Sequence, residues 1–123
     1  MDDKQARLEN AKNPYQTTAK RVLCVCSAGM LRSDTAAKLL WQEYGYNTRS
    51  CGVREYCLIP FDDVLATWAD EIVVADTEHL NPVLETMKRL KLEDTPVKCL
   101  HLPDNYTWMA DQLQKMIIQR YKP

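Results

Sequence analysis

One stretch, residues 21–40, limits the possible folds of this chain more than any other. It begins with an apolar run over residues 22–25 that has no polar alternation, which is typical of a strand covered on both faces in a parallel α/β sheet. A short loop containing Gly29 follows, and then an alanine- and leucine-rich segment with helical spacing. The sequence therefore predicts a strand, a tight loop and a helix, with Cys26 at the end of the strand and Arg32 at the start of the helix.

We name residues 26–33 the anion loop, because a loop that leads into a helix N-terminus is suited to bind anions. Its backbone N–H groups point into one concavity, and the helix dipole adds positive potential there. The Arg32 guanidinium adds a planar fork that matches phosphate oxygens. Cys26 lies in the same field, which favours its nucleophilic thiolate form, and the pattern therefore predicts attack on phosphorus. The residues expected to bind phosphate are Ser27, Ala28, Gly29, Met30, Leu31 and Arg32.

A cysteine and an arginine at this spacing also occur by chance, and the alternative is a buried cysteine beside a surface arginine. The preceding buried strand, Gly29 within the loop, Ser33 after the arginine and the following helix all favour the anion cradle. Cys26 is also the one cysteine of the chain that has an arginine six positions later. The other four are Cys24, Cys51, Cys57 and Cys99.

The anion loop, Cys-Ser-Ala-Gly-Met-Leu-Arg-Ser, resembles the motif of the low-molecular-weight protein tyrosine phosphatases, especially their short, predicted-phosphatase branch in prokaryotes and their viruses. The resemblance continues through residues 34–37, and three further segments also match the family. Together these segments cover most of residues 21–121. The chain departs from the family at two positions: Asp34 replaces the usual proline, and Ala28 stands where many members have glycine. The further matching segments are residues 49–52, 68–79 and 102–106.

The resemblance implies a phosphotyrosine protein phosphatase I-like fold: an α/β domain of three layers, with a four-stranded parallel sheet and helices on both faces. The alternation of strands and helices along the chain leads to the same architecture. We expect an N-terminal arm of residues 1–20 and a single domain of residues 21–123. The predicted strands are residues 21–26, 46–52, 71–75 and 97–100, and the predicted helices are residues 33–44, 61–67, 77–91 and 108–121.

The loops that follow the four strands should meet at one edge of the sheet, where α/β proteins bind ligands. Cleavage of a phosphate ester by cysteine also needs a proton donor for the leaving oxygen. Asp104 is our candidate, because it follows the last strand in a proline-containing turn and resembles the family's general acid, with Asn105 in place of the family's proline. The alternatives are Asp62, Asp63 and Asp76, which we expect at the starts of helices.

Several other polar and aromatic side chains are candidates for supporting roles. Ser33 resembles the serine that, in the family, donates its hydroxyl to the nucleophilic sulfur. Ser50 either braces the anion loop or satisfies backbone groups at a strand end. His79 and His101 have no evident partner, and we expect them at the surface or at a helix cap. Three aromatic residues are candidate walls of the substrate site, or else core or surface residues: Tyr56, Tyr106 and Trp108.

Composition excludes several classes of protein. The 123 residues carry a net charge of −1, so the basic surface of a nucleic-acid binder is missing. No apolar run approaches the ~20 residues of a membrane-spanning helix, and the charged first residues do not resemble a signal peptide. Five cysteines without a Cys-x2-Cys pair, and two histidines, argue against a disulfide framework or a structural zinc site, and for a protein of the reducing cytoplasm. We expect the chemistry of Cys26 to need no metal and no cofactor.

Three functions remain open at this point. The first is hydrolysis of phosphomonoesters, specifically by a protein tyrosine phosphatase that acts without a metal through a cysteinyl-phosphate intermediate, on a phosphorylated protein or a small phosphoester. The second is arsenate reduction, which resembles a known use of the same fold and for which Cys51 and Cys57 are the candidate resolving thiols. The third is a module that binds phosphorylated partners without cleaving them.

Overall fold

The computed structural model describes residues 18–54 and 57–123, so that most of the predicted arm, residues 1–17, and Tyr56 lie outside the described residues. The four strands run parallel in the order β2-β1-β3-β4. Within the described part of the chain, no helix has both the length and the apolar character needed to cross a membrane. The elements are β1 (Arg21–Cys26), α1 (Arg32–Tyr44), β2 (Asn47–Gly52), α2 (Asp63–Trp68), β3 (Glu71–Val74), a 3₁₀ turn (Thr77–His79), α3 (Leu80–Arg89), β4 (Val97–Cys99) and α4 (Asp111–Arg120).

The sheet separates two hydrophobic clusters, because successive side chains of a strand point to opposite faces. Val22, Cys24 and Cys26 of β1 face the cluster that includes residues of α1 and α4. Leu23 and Val25 face the cluster that includes residues of α2 and α3. Residues 22–25 are 0% exposed, as their uninterrupted apolar run predicts. Helices therefore cover both faces, and the predicted three-layer α/β architecture with a four-stranded parallel sheet is confirmed.

All the predicted strands and helices are present, and their ends move by a few residues. The predicted helix of residues 108–121 is too long at its start, because Met109 has a left-handed φ of 59° that a helix cannot contain. The predicted helix of residues 77–91 is divided into a 3₁₀ turn, capped by Asp76, and α3. The first turn of α3 accommodates Pro82, since an amide at that position has no helical partner.

The amino edge of the sheet, opposite the anion loop, holds a buried carboxylate. Glu71 is 1% exposed, and its oxygens lie 3.4 Å from the Nζ atom of Lys20 and 2.6 Å from that of Lys98. The hydroxyl of Tyr121 donates to the same carboxylate at 2.6 Å. Burial alone would raise the pKa of Glu71, but the hydrogen bonds from Lys98 and Tyr121 and the charge of Lys20 hold it below its ordinary value. Lys20, the last residue of the predicted arm, therefore takes part in the fold.

Candidate active site

The anion loop lies at the carboxyl edge of the sheet, against the segment that follows β2. The amide of Val53 donates to the carbonyl of Cys26 at 3.0 Å, and the amide of Arg54 donates to that of Ser27 at 2.9 Å. These two bonds hold the first half of the loop by its backbone. The loops that follow β1 and β2 therefore meet at this edge, as predicted. The side chain of Arg32 also contacts the loops that follow β3 and β4.

Two glycines allow the two segments to approach this closely. A Cβ atom at Gly52 would lie 2.5 Å from the carbonyl oxygen of Ser27. Gly29 has a φ of 76°, and a Cβ atom there would lie 2.7 Å from the carbonyl carbon of Cys51. Ala28 is not among the described residues with positive φ, so the methyl group at this position introduces no left-handed strain. The positive φ that favours glycine therefore occurs at Gly29, and not at Ala28, where many family members have glycine.

Cys26 is the last residue of β1 and is 3% exposed, and its sulfur lies where the anion loop begins. The amide of Gly29 donates to it at 3.2 Å, and the hydroxyl oxygen of Ser33 lies 3.0 Å away. Both groups can donate a hydrogen bond to a deprotonated sulfur. By contrast, burial raises the pKa of the Cys24 and Cys51 thiols far above the ordinary value, so both stay protonated. Of the three buried cysteines, Cys26 is therefore the one whose surroundings suit a nucleophile.

The Arg32 guanidinium is 2% exposed and connects three loops. Its Nη1 atom donates to the carbonyl of Leu102 at 3.0 Å, in the segment after β4. Its Nη2 atom lies 3.4 Å from an oxygen of Glu78, after β3. Its Nε atom lies 3.6 Å from an oxygen of Asp104, whose side chain is 66% exposed. The fold thus brings the candidate acid, Asp104, next to the arginine of the anion loop.

Glu78 places a carboxylate beside the same guanidinium. Besides its contact with Arg32, its Oε1 atom accepts from the hydroxyl of Ser27 at 3.3 Å and lies 3.2 Å from the Nε2 atom of His79. Its Oε2 atom lies 3.9 Å from the guanidinium of Arg54. Burial alone would raise the pKa of Glu78, but the hydrogen bonds from Arg32 and Ser27 hold it below its ordinary value. The Glu78 carboxylate therefore balances part of the positive charge of Arg32.

His79 is fully buried and joins the loop after β3 to the anion loop. The amide of Asp76 donates to its Nδ1 atom at 3.1 Å, which leaves the ring proton on Nε2, 3.0 Å from the hydroxyl oxygen of Ser27. Burial and the charge of Arg32 lower the pKa of His79, so the ring is neutral near pH 7. Of the two expected alternatives, His79 takes the helix-cap role, and it is not at the surface because β3 lies next to β1 in the sheet.

Asp34, which replaces the proline of the family's motif, joins α1 to two other parts of the fold. Its carboxylate accepts from the hydroxyl of Ser50 at 3.0 Å and from the indole N–H of Trp108 at 2.7 Å. The Nζ atom of Lys38 lies 5.0 Å from the centroid of the same indole ring. The hydroxyl of Ser50 therefore donates to Asp34. It does not donate to the anion loop or to the backbone of a strand, which were the two expected roles.

The aromatic residues after Asp104 are held by side-chain contacts of their own. The hydroxyl of Tyr106 donates to the side-chain oxygen of Gln112 at 2.9 Å, and its ring packs partly buried against the cluster between the sheet and α1 and α4. Trp108 is 46% exposed and is fixed at Asp34. Tyr56 lies outside the described residues. The assignment of these three residues as walls of a substrate site stays a prediction.

The alternative proton donors are occupied elsewhere. Asp62 caps α2, Asp63 forms an ion pair with Arg89 of α3, and Asp76 caps the 3₁₀ turn. Of the four aspartates considered, Asp104 is the one whose carboxylate faces the anion loop.

Two residues of the site, Glu78 and His79, escape prediction from the sequence. One signal points to them: polar residues that follow a buried parallel strand lie at the same edge of the sheet as Cys26. Several residues after each strand satisfy that condition, however. The order of the strands selects among them, because it decides which loop lies beside the anion loop.

Neither protein-family models nor characterised proteins give a match to this sequence, whereas solved structures do. The chain is similar to the tyrosine phosphatase Wzb from Escherichia coli K30 in complex with phosphate, at 19% identity and a TM-score of 0.60, over 84% of this chain and 94% of that one. It is similar to the tyrosine phosphatase AmsI from Erwinia amylovora, at 13% identity and a TM-score of 0.61, over 84% and 87% of the two chains.

A third similar structure is the thioredoxin-dependent arsenate reductase Cg_ArsC1′ from Corynebacterium glutamicum, at 16% identity and a TM-score of 0.57, over 95% of this chain and 64% of that one. At these identities the similarity establishes the fold. The predicted resemblance to low-molecular-weight tyrosine phosphatases is therefore confirmed at the level of the fold, which two tyrosine phosphatases and an arsenate reductase share.

Proposed function

We propose that this chain is a phosphomonoester hydrolase that acts through a cysteinyl-phosphate intermediate, with phosphotyrosine in proteins as its substrate class. The observation that carries the proposal is the position of the Cys26 sulfur, 3.2 Å from the Gly29 amide and 3.0 Å from the Ser33 hydroxyl, in the same loop as the buried Arg32. A sulfur that is stabilised as an anion beside a buried guanidinium suits attack on a phosphoryl group.

In the first half of the proposed reaction, the Cys26 sulfur forms a bond to phosphorus and the bond from phosphorus to the phenolic oxygen breaks. Asp104, in its acid form, gives its proton to that leaving oxygen. The Arg32 guanidinium and the amides of the anion loop stabilise the charge on the three remaining oxygens.

In the second half, a water molecule attacks the cysteinyl phosphate. Asp104 takes the proton of the water, a new bond from oxygen to phosphorus forms, and the bond from sulfur to phosphorus breaks. The Ser33 hydroxyl, 3.0 Å from the sulfur, stabilises the thiolate as it leaves. Cys26 returns to its starting state and inorganic phosphate is released.

Arsenate reduction on the same fold is the weaker candidate. It needs a second thiol that reaches the nucleophile, and Cys51 is 0% exposed with a pKa raised by burial. The thiol of Cys57 donates to the carbonyl of Gly52 at 3.4 Å. These surroundings favour neither residue as a resolving thiol, whereas the position of Asp104 next to Arg32 favours an acid-assisted hydrolysis.

The test is phosphate release by the full chain from a phosphotyrosine peptide, a phosphoserine peptide and a nucleoside monophosphate. Cys26→Ser should abolish release and Cys57→Ser, as the matched control, should preserve it. A phosphate adduct on Cys26 after acid quenching of the parent reaction would identify the intermediate directly. Release by Cys26→Ser near the parent rate would contradict the mechanism.

Two other outcomes would select the alternatives. Tight binding of the phosphopeptide without any release of phosphate would make the chain a phosphate-binding module. Thioredoxin-coupled reduction of arsenate, lost in Cys51→Ser or Cys57→Ser, would make it an arsenate reductase.

Because all five cysteines are unpaired, we propose a reducing compartment, the cytoplasm, as the place where it acts.

A further inference from the structure

A second group of reactive side chains lies at the carboxyl edge of the sheet, beyond β3 and β4. Asp76 follows β3, Cys99 ends β4 and His101 follows it. The two strands are paired, with Val74 opposite Cys99. Strand pairing therefore brings these three residues together. Because they form no Cys-x2-Cys pattern along the chain, the sequence alone predicts no metal site here.

The donor atoms of these residues have the spacing of a metal site. The Nδ1 atom of His101 lies 3.7 Å from the sulfur of Cys99 and 3.9 Å from an oxygen of Asp76. All three donor atoms lie within 4.8 Å of one another. Tetrahedral zinc, with bonds of about 2.0–2.3 Å, holds its ligand atoms about 3.3–3.6 Å apart. The two contacts of the His101 Nδ1 atom thus need to shorten by up to about half an ångström, and the distance between the sulfur of Cys99 and the carboxylate of Asp76 by up to about 1.3 Å, to surround one ion.

The neighbouring backbone holds the donors in place. The amides of Leu100 and Leu102 donate to the carbonyls of Val74 and Ala75 at 3.1 and 2.7 Å, so that the chain on either side of His101 is tied to the end of β3. His101 has a φ of 55° between these two bonds. 

Outer contacts orient two of the three residues. The amide of Thr77 donates to the Oδ1 atom of Asp76 at 2.8 Å and orients that carboxylate. Arg120 donates to the carbonyl of His101 at 2.6 Å and braces the loop through its backbone, which leaves the imidazole available.

We propose that Asp76, Cys99 and His101 form a binding site for a divalent transition metal ion of the zinc type. A thiolate, an imidazole and a carboxylate are together a donor set for zinc, whereas magnesium and calcium prefer oxygen ligands. Binding transfers the thiol proton of Cys99 to solvent, and the thiolate then bonds to the metal. His101 is exposed, so water completes the fourth position from the solvent side.

The site has a consequence for the loops around it. Asp76 leads directly into the 3₁₀ turn that carries Glu78 and His79, and His101 leads into the segment that carries Asp104. A bound metal therefore joins the two loops that contact Arg32 from β3 and β4. The proposal itself does not depend on the catalytic activity of Cys26.

The experiment uses the full chain with Cys26→Ser, which removes the thiol of the anion loop as a competing ligand. Titration with Co²⁺ should give a thiolate-to-metal charge-transfer band and the visible bands of tetrahedral cobalt, at one equivalent per chain. Calorimetric titration with Zn²⁺ should show the same stoichiometry. His101→Asn and Cys99→Ser, added one at a time, should each weaken Zn²⁺ binding by about tenfold or more, and Cys57→Ser should not.

The choice of variants keeps the outcome unambiguous. Asparagine tolerates the left-handed φ of His101, and the side chain is exposed, so that His101→Asn should fold like the parent. Thermal unfolding in the presence of a chelator verifies this for each variant. Absence of the thiolate band, or Zn²⁺ affinity unchanged in a folded His101→Asn variant, would overturn the proposal.

Discussion

The hydroxyl oxygen of Ser33 lies 3.0 Å from the sulfur of Cys26, seven positions earlier in the chain, and both residues are buried. The left-handed conformation of Gly29 lets the chain return from the end of β1 to the start of α1 within this short distance. The contact gives the sulfur a side-chain hydrogen bond in addition to the one from the Gly29 amide. Ser33 is therefore expected to stabilise the thiolate before attack and as it leaves.

Ser33→Ala should lower kcat by about tenfold to a hundredfold, because a hydrogen bond to a charged group contributes about 1.5–3 kcal/mol. The same variant should slow alkylation of Cys26 by iodoacetamide at neutral pH. Ser50→Ala is the matched control, since the hydroxyl of Ser50 donates to Asp34 and not to the sulfur. Equal losses in the two variants would show that the Ser33 effect is not specific to the nucleophile.

Asp104→Asn should slow cleavage of phosphotyrosine by about a hundredfold or more and cleavage of a nitrophenyl phosphate far less. The physical reason is that a nitrophenolate leaves without needing a proton, whereas a phenolate does need one. The measurement is kcat over a series of aryl phosphates with different leaving groups. Asp111→Asn, at the start of α4, serves as the control. An equal loss for every leaving group would indicate a structural Asp104.

Glu78→Gln should strengthen inhibition by inorganic phosphate by about twofold to fivefold, because it removes a half-exposed carboxylate that competes for Arg32. The effect should shrink as salt is added, since screening weakens the repulsion in the parent protein. Glu85→Gln, on the exposed face of α3, is the control of equal charge. Weaker phosphate inhibition in Glu78→Gln would mean that Glu78 orients Arg32 and does not compete with the ligand.

The free energy of unfolding should fall as the pH drops below about 6.5, because the pKa of His79 is lower in the fold than in the unfolded chain. Between those two pKa values the unfolded chain binds the additional proton, so acid favours unfolding. The charged groups that face His79 are Arg32, Glu78, Asp76 and Asp104.

His79→Asn keeps an acceptor for the Asp76 amide but does not titrate, so it should flatten the pH dependence of stability between about pH 5 and 7. Denaturant unfolding at a series of pH values measures this slope. An unchanged slope in His79→Asn would show that His79 does not carry the effect.

Gly52→Ala should lower both stability and turnover, because its Cβ atom would lie 2.5 Å from the carbonyl oxygen of Ser27. Overpacking of this kind costs about 1–3 kcal/mol and shifts backbone, here the backbone of the anion loop. Gly45→Ala is the informative comparison, since Gly45 has a φ of 70° but no atom within 4 Å of a Cβ. That variant should lose stability and keep kcat in the folded protein. Unchanged kcat in Gly52→Ala would mean that the loop tolerates the shift.

Much of the local structure can be predicted from the sequence, because hydrophobic period, turn chemistry and capping act over a few residues. The apolar run of β1, Gly29 and the helical spacing after Arg32 predict the strand, loop and helix correctly. The ends of elements are less accurate where one residue adopts a special conformation. Met109, with a φ of 59°, shortens the last helix and is not marked by any glycine or proline.

By itself, the sequence determined the α/β class, the nucleophile candidate Cys26 with its arginine, and the choice of Asp104 as the acid to test. Only the tertiary structure decided which side chains surround them. Glu78 and His79 reach the anion loop because β3 pairs with β1, and Asp76 meets Cys99 because β4 pairs with β3. Such contacts join residues that lie about 20 to 50 positions apart, and they depend on strand order, which no local pattern in the chain encodes.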